Sequence, residues 1–440
     1  MKIFTYPSKS AETRLKTIEQ RTTAFLKKDI AQVNRIVEDV RKNGDDAVIR
    51  YVNRFDASRL DIDSLRVTDS EFKIAARSVD RTFSRALNRA FSQITAFHKK
   101  QMQRSWIDTD RPGTMLGQLV RPVDAAGVYV PGGTGGQTPL VSSVLMGVIP
   151  ARIAGVEQVI MVTPPRQDGT IHPYLLVAAR KVGVDAVVKM GSAWAIAALA
   201  YGTATVPRVD VIVGPGNIYV TLAKKIVAGT VAIDMIAGPS EILIIADAGA
   251  SPEFVAADLL SQAEHDVLSS AILITDSRAV AKKTAEALAN QCRKLSRQKI
   301  AEKSLSRFGA ILVTPDLDAA VDLANRIAPE HLELQIRQPF DFLSRIRHAG
   351  AIFIGDYTPE PVGDYIAGPN HVLPTAGTAR FSSALSVDHF VKKTSLIHYS
   401  RAAFQREAKD IIRLADVEGL DAHRKSVQVR LDTWRKKSRS

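Results

Sequence analysis

Between residues 119 and 228, short apolar runs alternate with helical patterns, and this alternation restricts the fold more than any other feature of the chain. Residues 119–123 and 126–130 read as strands. The second is ended by Pro131-Gly132-Gly133-Thr134-Gly135-Gly136, and a helix starts near Thr138-Pro139, proline being favoured in a first turn. Strands follow at 158–163, 186–190 and 209–213, separated by helices near 172–182 and 193–201. Gly214-Pro215-Gly216-Asn217 then opens a helix over about 219–228. Strand and helix in turn, at this short spacing, predict a doubly wound, largely parallel sheet. A second α/β unit follows, with strands at 242–247, 271–275, 309–313 and 351–354. A strand, a glycine-rich turn and a helix present backbone N–H groups and a helix N-terminus to anionic groups. Neither turn spells G-x-G-x-x-G: Tyr219 stands where the third glycine of the Gly214 turn belongs, and the first turn spaces its glycines differently. Neither is followed by G-K-[ST], which excludes a P-loop.

The flanking regions read as helical. Residues 29–43 form an amphipathic pattern, with Asp29 as cap, Ile30, Val33, Val37 and Val40 as the buried stripe, and Gly44 as a stop. A longer helical stretch runs from about 71 to 101 behind a cap at Asp69 or Ser70, with His98 on its surface. Past about residue 385 the pattern is helical to the end. At 440 residues the chain exceeds one compact core, so two or more domains are expected. A net charge of +13 raises nucleic acid as a partner, but the charges are dispersed and the one dense basic run is Arg435-Lys436-Lys437-Ser438-Arg439. Without aromatic interleaving, finger spacing or an RNA-binding signature, no nucleic-acid partner is expected. The single cysteine, Cys292, rules out an intramolecular disulfide, fits a reducing compartment and reads as a passive thiol. The first residues lack an apolar signal core and no apolar run is long enough to span a bilayer, so a cytoplasmic protein without membrane association is expected.

Candidate chemistry begins in Leu260-Ser261-Gln262-Ala263-Glu264-His265-Asp266. Gln262 and His265 are three apart and share a face if the stretch is helical. An amide oxygen and an imidazole on one face can hold a borderline metal such as Zn²⁺, although two ligands do not complete a site and a plain polar helix face looks the same. Glu330-His331 places a carboxylate beside an imidazole at a helix–loop junction, where both can line one cleft and serve as acid and base. Gly355-Asp356-Tyr357 and Gly363-Asp364-Tyr365 follow a strand end, the usual place for functional loops in α/β sheets. Asn370-His371 lies in the same loop, and Glu418 with Asp421-Ala422-His423 in the C-terminal helical part. Each of these alone is also the pattern of a surface polar cluster. His172, His348, His389 and His398 have no motif around them and read as structural.

Taken together, these residues resemble the histidinol dehydrogenase family nearly end to end. The segments that carry the resemblance are Gly127-Val128-Tyr129-Val130-Pro131-Gly132-Gly133, Val213-Gly214-Pro215-Gly216-Asn217, Asp234-Met235-Ile236-Ala237-Gly238-Pro239-Ser240-Glu241 and Ser261-Gln262-Ala263-Glu264-His265. Pro329-Glu330-His331, Gly363-Asp364-Tyr365, Asn370-His371-Val372-Leu373-Pro374-Thr375 and Ala422-His423 complete it. The resemblance implies a zinc enzyme that oxidises L-histidinol to L-histidine through the aldehyde with two NAD⁺, the last steps of histidine biosynthesis. It implies one zinc per subunit on Gln262, His265, Asp364 and His423, the last from the partner of an intertwined homodimer with shared active sites. Glu330 and His331 would be the acid/base pair. Substrate would be held by Ser240, His371 and Glu418 together with the zinc and acid/base residues, and NAD would be contacted by Tyr129 and Asn217. The sequence departs from the family on the cofactor side. Trp194 stands where many members carry a dinucleotide-contacting glutamine, and an indole can stack on a ring but cannot offer an amide's paired hydrogen bonds. The loop after Gly133 also looks longer than usual.

The expected fold is α/β, with two incomplete Rossmann-like units of mostly parallel sheet and helical arms at both ends. Residues 1–27 would be an N-terminal arm, 28–130 and 239–385 the main catalytic domain, 131–238 an inserted dinucleotide-binding domain, and 386–440 a C-terminal arm exchanged with the partner. Two other readings compete: a paralogous zinc- and NAD-dependent dehydrogenase of another small polar alcohol, and a non-catalytic binding protein on the same scaffold.

Overall fold

The computed structural model describes residues 1–22, 27–56, 59–133 and 136–437. Thr134 and Gly135 of the first glycine-rich turn, where a longer loop is expected, and the end of the basic run at Ser438-Arg439 lie outside them. The chain divides into two compact units, Met1–Met102 with Val123–Phe390, and Gln103–Pro122 with Val391–Ser440.

The first unit holds two parallel sheets. In the larger, six strands run in the order Ile3–Thr5, Ala310–Val313, Ser270–Thr275, Glu241–Ala246, His331–Gln335, Ala351–Ile354. In the smaller, five run Ala186–Lys189, Gln158–Thr163, Ala125–Tyr129, Val211–Val213, Ala232–Ile233. Both are covered by helices on their faces, so their inner strands read as unbroken Val/Ile/Leu runs rather than alternating ones. The five-stranded sheet draws its central strand, Ala125–Tyr129, from before residue 131.

Helix ends follow local chemistry more finely than the sequence pattern shows. Gly44 stops the first helix as expected: at φ 52°, ψ −130° it is non-helical and divides Lys27–Tyr51 into two helical segments, a conformation glycine tolerates without strain. The long helical stretch is two helices, Asp69–Ser78 and Arg81–Lys99. The first is capped by Thr68, whose hydroxyl accepts from Glu71 N while the Glu71 carboxylate accepts from Thr68 N. Asp80 caps the second. His98 is buried and bonds Gln101 Oε1 through Nδ1 at 2.7 Å, so the expectation of a surface residue fails.

One helix defect ties the first unit together. Pro150 sits inside the buried helix Val141–Ala154 and has no N–H, so Met146 O lacks its partner one turn on. Asn370 Nδ2 donates to that carbonyl at 2.8 Å, and Asn370 Oδ1 accepts from Val372 N at 2.9 Å.

The second unit contains a strand where helix is expected. Val391–Tyr399 pairs antiparallel with Thr114–Pro122, which pairs in turn with Trp106–Asp108. Residues 119–123 thus belong mostly to this sheet and not to the parallel ones. Val391–Tyr399 is mainly exposed and carries polar residues on both faces, so it lacks the apolar alternation that marks a half-buried strand. Helices Arg401–Val417 and Asp421–Lys437 complete the unit.

Trp194 in the helix Ser192–Tyr201 is buried beneath Tyr51 and Phe55, with both ring centroids 5.6 Å away. Its Nε1 donates to Asp56 Oδ2 at 3.2 Å, and Gly191 N donates to the same oxygen at 2.9 Å. Burial pushes the Asp56 carboxyl up from 3.8 to about 7, outweighing both hydrogen bonds. The folded state therefore holds this proton more tightly than the unfolded chain. The stability it contributes is present below about pH 4 and is lost as pH rises towards about 7, by at most roughly 4 kcal/mol. Asp56→Asn keeps an acceptor there without the titration. Melting temperatures of parent and variant between pH 4 and 8 should diverge, with the parent falling and the variant flatter; parallel curves would refute the assignment.

Candidate active site

Glu330 and His331 lie at the amino end of His331–Gln335, beside the amino end of Glu241–Ala246. Functional loops in open α/β sheets usually leave the carboxyl ends of the strands. In the six-stranded sheet the candidate residues gather at the opposite edge, because both strands begin there and the helix Pro252–Ala263 ends there.

Glu241 holds the pair. Its carbonyl oxygen is 2.8 Å from His331 Nδ1, its N–H donates to Glu330 Oε2 at 2.8 Å, and its Oε2 accepts from Glu330 N at 3.3 Å. Its Oε1 accepts from Ala376 N at 3.1 Å and pairs with Arg21, both side chains being buried. A carbonyl only accepts, so His331 Nδ1 carries the proton and Nε2 of the neutral ring is left with a bare lone pair. That Nε2 is buried without a hydrogen-bond partner, 4.0 Å from Glu360 Oε1. Burial holds the His331 ring below its usual pKa, which keeps it neutral, while the Glu360 charge opposes the shift.

Glu360 and Asp364 stand four apart on a turn formed by Glu360–Val362 and Gly363–Ala367, so both face one side, and their carboxyls are hydrogen-bonded to each other. One ligand atom each from His331, Glu360 and Asp364 lies within 4.8 Å of the others. His371 Nδ1 is 3.7 Å from Asp364 Oδ1. Gln262 is buried at the last turn of Pro252–Ala263 with its Nε2 unpartnered. His265, just beyond that helix, lies within electrostatic range of His331, Glu360 and His371.

The electrostatics are those of acidic groups crowded into a low dielectric. Burial, then the charge of Glu241, drives Glu330 well above the usual carboxylate range. Burial and the charge of Asp364 raise Glu360 to about 8, and burial raises Asp364. Burial lowers His371 to about 4. Buried carboxylates that raise one another, imidazoles held neutral and an orphaned amide form a donor set suited to a borderline cation, and Zn²⁺ accepts N and O ligands of these kinds. Gln262, His265 and Asp364, predicted as ligands, are thus brought to one edge with Glu330, His331 and His371. Ser240, half-buried, immediately precedes Glu241 at the same edge.

Tyr129 and Asn217, expected on the cofactor side, sit at the carboxyl ends of the five-stranded sheet, where its strand order reverses between Ala125–Tyr129 and Val211–Val213. Asn217 caps the helix Ile218–Val227, its Oδ1 accepting from Tyr219 N at 3.0 Å. Gly214 has φ +117°, and a Cβ there would meet Tyr129 O at 2.1 Å. Its N–H donates to Asp234 Oδ2 at 2.8 Å, its carbonyl accepts from Lys224 Nζ at 3.0 Å, and Lys224 pairs with Asp234 in the interior. The Tyr129 hydroxyl accepts from Ser192 N at 3.1 Å. Glu418 and His423 belong to the second unit, where both are exposed, Glu418 capping Arg401–Val417 and His423 opening Asp421–Lys437.

Sequence reading passed over Glu360, Arg21 and the role of Glu241. The i, i+4 spacing of Glu360 and Asp364 was a readable signal. Arg21 gives none, because it reaches Glu241 from 220 residues away.

The histidinol dehydrogenase family profile matches residues 19–431. The histidinol dehydrogenase of Desulfotalea psychrophila is 56% identical over 399 residues, covering 91% of this chain and 92% of its own length. That of Heliobacterium mobile is 51% identical over 434 residues, 98% of this chain and 100% of its own. The crystal structure of histidinol dehydrogenase from Elizabethkingia anophelis superposes with a TM-score of 0.92 at 37% identity, over 99% of both chains. With its two parallel sheets and with relatives matching over nearly its whole length, this chain belongs to the histidinol dehydrogenase family.

Proposed function

We propose that the amino edge of the six-stranded sheet oxidises L-histidinol to L-histidine through L-histidinaldehyde with two NAD⁺, as the last steps of histidine biosynthesis in the cytoplasm. Among the described residues, no helix is long and apolar enough to cross a membrane. The observation that carries the reading is the bond between His331 Nδ1 and Glu241 O, which leaves a neutral imidazole with a free Nε2 among buried acidic groups.

Gln262, His265 and Asp364 would hold one zinc per subunit, with His423 supplied by a second copy of the chain. When bound, zinc supplies a fixed positive charge that orients the amino alcohol and offsets the surrounding carboxylates. NAD⁺, when bound, supplies the hydride acceptor for both oxidations. His331 Nε2 accepts the hydroxyl proton in the first oxidation. Glu330, protonated while the site lacks positive charge, would give up its proton to solvent when cationic groups bind beside it, and the carboxylate then accepts a proton from the water that adds to the aldehyde carbon; the resulting hydrate is the form oxidised second. Ser240, His371 and Glu418 contact the substrate. Tyr129 and Asn217 line the cofactor side. Trp194 forms a floor beneath that side, since its one N–H is already engaged by Asp56.

A homodimer with shared sites is supported by the second unit's exposed apolar residues. Leu414, Val417 and Val429 are 60% exposed or more, which suits helices seated on a second copy.

Purified protein should yield two NADH per L-histidinol, lose activity to a chelator and regain it with zinc. His331→Asn should lower kcat by about 10²- to 10⁴-fold. Turnover of other amino alcohols in place of histidinol would favour a paralogous dehydrogenase, and zinc binding without any turnover would sink both readings.

The Arg21–Glu241 pair predicts a stability effect. Arg21→Met leaves the Glu241 carboxylate buried without its cation and should cost about 3–5 kcal/mol in denaturant unfolding. Adding Glu241→Gln should recover much of that loss, and additive losses would show that the two are not coupled.

A further inference from the structure

Beneath the site lies a buried polar column that the reaction does not use. His331, Glu333 and Gln335 alternate along one strand and share its face, whereas Leu332 and Leu334 pack into the core on the other. Gln335 Nε2 donates to Asp258 Oδ2 at 2.7 Å and to Glu333 Oε2 at 3.1 Å. Glu333 and Asp258 are hydrogen-bonded to each other, a contact that needs one proton between two carboxyls. Glu333 Oε1 accepts from Glu360 N at 3.0 Å. That N–H follows Pro359 at the start of the Glu360 turn, where the turn offers it no acceptor of its own.

Three separate elements meet in this column. Asp258 stands one turn before Gln262 on Pro252–Ala263, Glu333 two residues after His331, and Glu360 four before Asp364. We propose that Glu333 is a positioning residue: its carboxyl sets the 360–364 turn against the His331 strand and, through Asp258, registers both with the helix that carries Gln262. It touches neither substrate nor cofactor. It acts by fixing Glu360 and Asp364 relative to His331, and it rests on the functional reading above for what that geometry achieves.

The test compares Glu333→Gln with Glu333→Met in the zinc-loaded, full-length protein. In Glu333→Gln the amide oxygen still accepts from Glu360 N and the amide nitrogen can donate to Asp258; the bond from Gln335 Nε2 to residue 333 is lost, but Gln335 keeps Asp258 as its acceptor, so kcat stays within about threefold of the parent. Glu333→Met strands the Glu360 N–H, so kcat falls by about 10- to 100-fold with KM for NAD⁺ unchanged, and zinc affinity by chelator competition weakens about tenfold. Should the methionine variant not fold, Glu333→Asp is one methylene too short for Glu360 N and carries the same expectation. A methionine or aspartate variant with parental kcat and zinc affinity overturns the proposal, as does a glutamine variant that falls as far as the methionine one. If the parent itself does not oxidise histidinol, the functional reading fails, and the zinc-affinity comparison still decides the role of Glu333.

Discussion

The pairing of Glu241–Ala246 with His331–Gln335 is the constraint on which the rest of the site depends. Parallel register sets His331 against Ile242, so the backbone of Glu241 reaches both His331 and Glu330. A ring nitrogen held by a sheet carbonyl cannot change its tautomer without breaking that bond. Glu330 and His331 are therefore fixed by two buried strands of a six-stranded sheet, and no mobile loop is needed to orient them.

Against this order stands a large electrostatic cost. Glu330, Glu360, Asp364, Glu333 and Asp258 are all largely removed from water, and burial raises each of them. Arg21 is spent on Glu241. Glu333 with Asp258 and Glu360 with Asp364 each share a proton, and the neutral imidazoles of His331 and His371 offer little further compensation. A site built this way is strained towards taking up positive charge, which is the property required of one that binds a metal and a protonated amine.

Much of this was legible in the sequence because parallel sheets announce themselves. Runs such as Gln158–Thr163 and Ser270–Thr275, buried on both faces, leave continuous apolar stretches that prolines and glycines end sharply. Gln262, His265, Glu330, His331 and Asp364 were each visible as polar residues at element ends. What the pattern could not carry was anything set by pairing alone. Val391–Tyr399 is a strand by hydrogen bonding to Thr114–Pro122, with polar residues that hide it. His98 is buried with its Nδ1 bonded to Gln101, a pairing the helical pattern does not show. The edge of the sheet on which the site forms depends on which strands begin together, and the usual rule of strand ends points the other way.

The proline in Val141–Ala154 has a further consequence. A helix with every carbonyl engaged offers a neighbouring loop only side chains to grip, and side chains rotate. By removing one N–H, Pro150 exposes a backbone acceptor at a fixed depth, and Asn370 uses it as a datum for the segment that carries His371. The segment beside the polar edge of one sheet is thereby gauged from a helix of the other by a single short amide. A dinucleotide could depart and be replaced between oxidations while the spacing it returns to stays set.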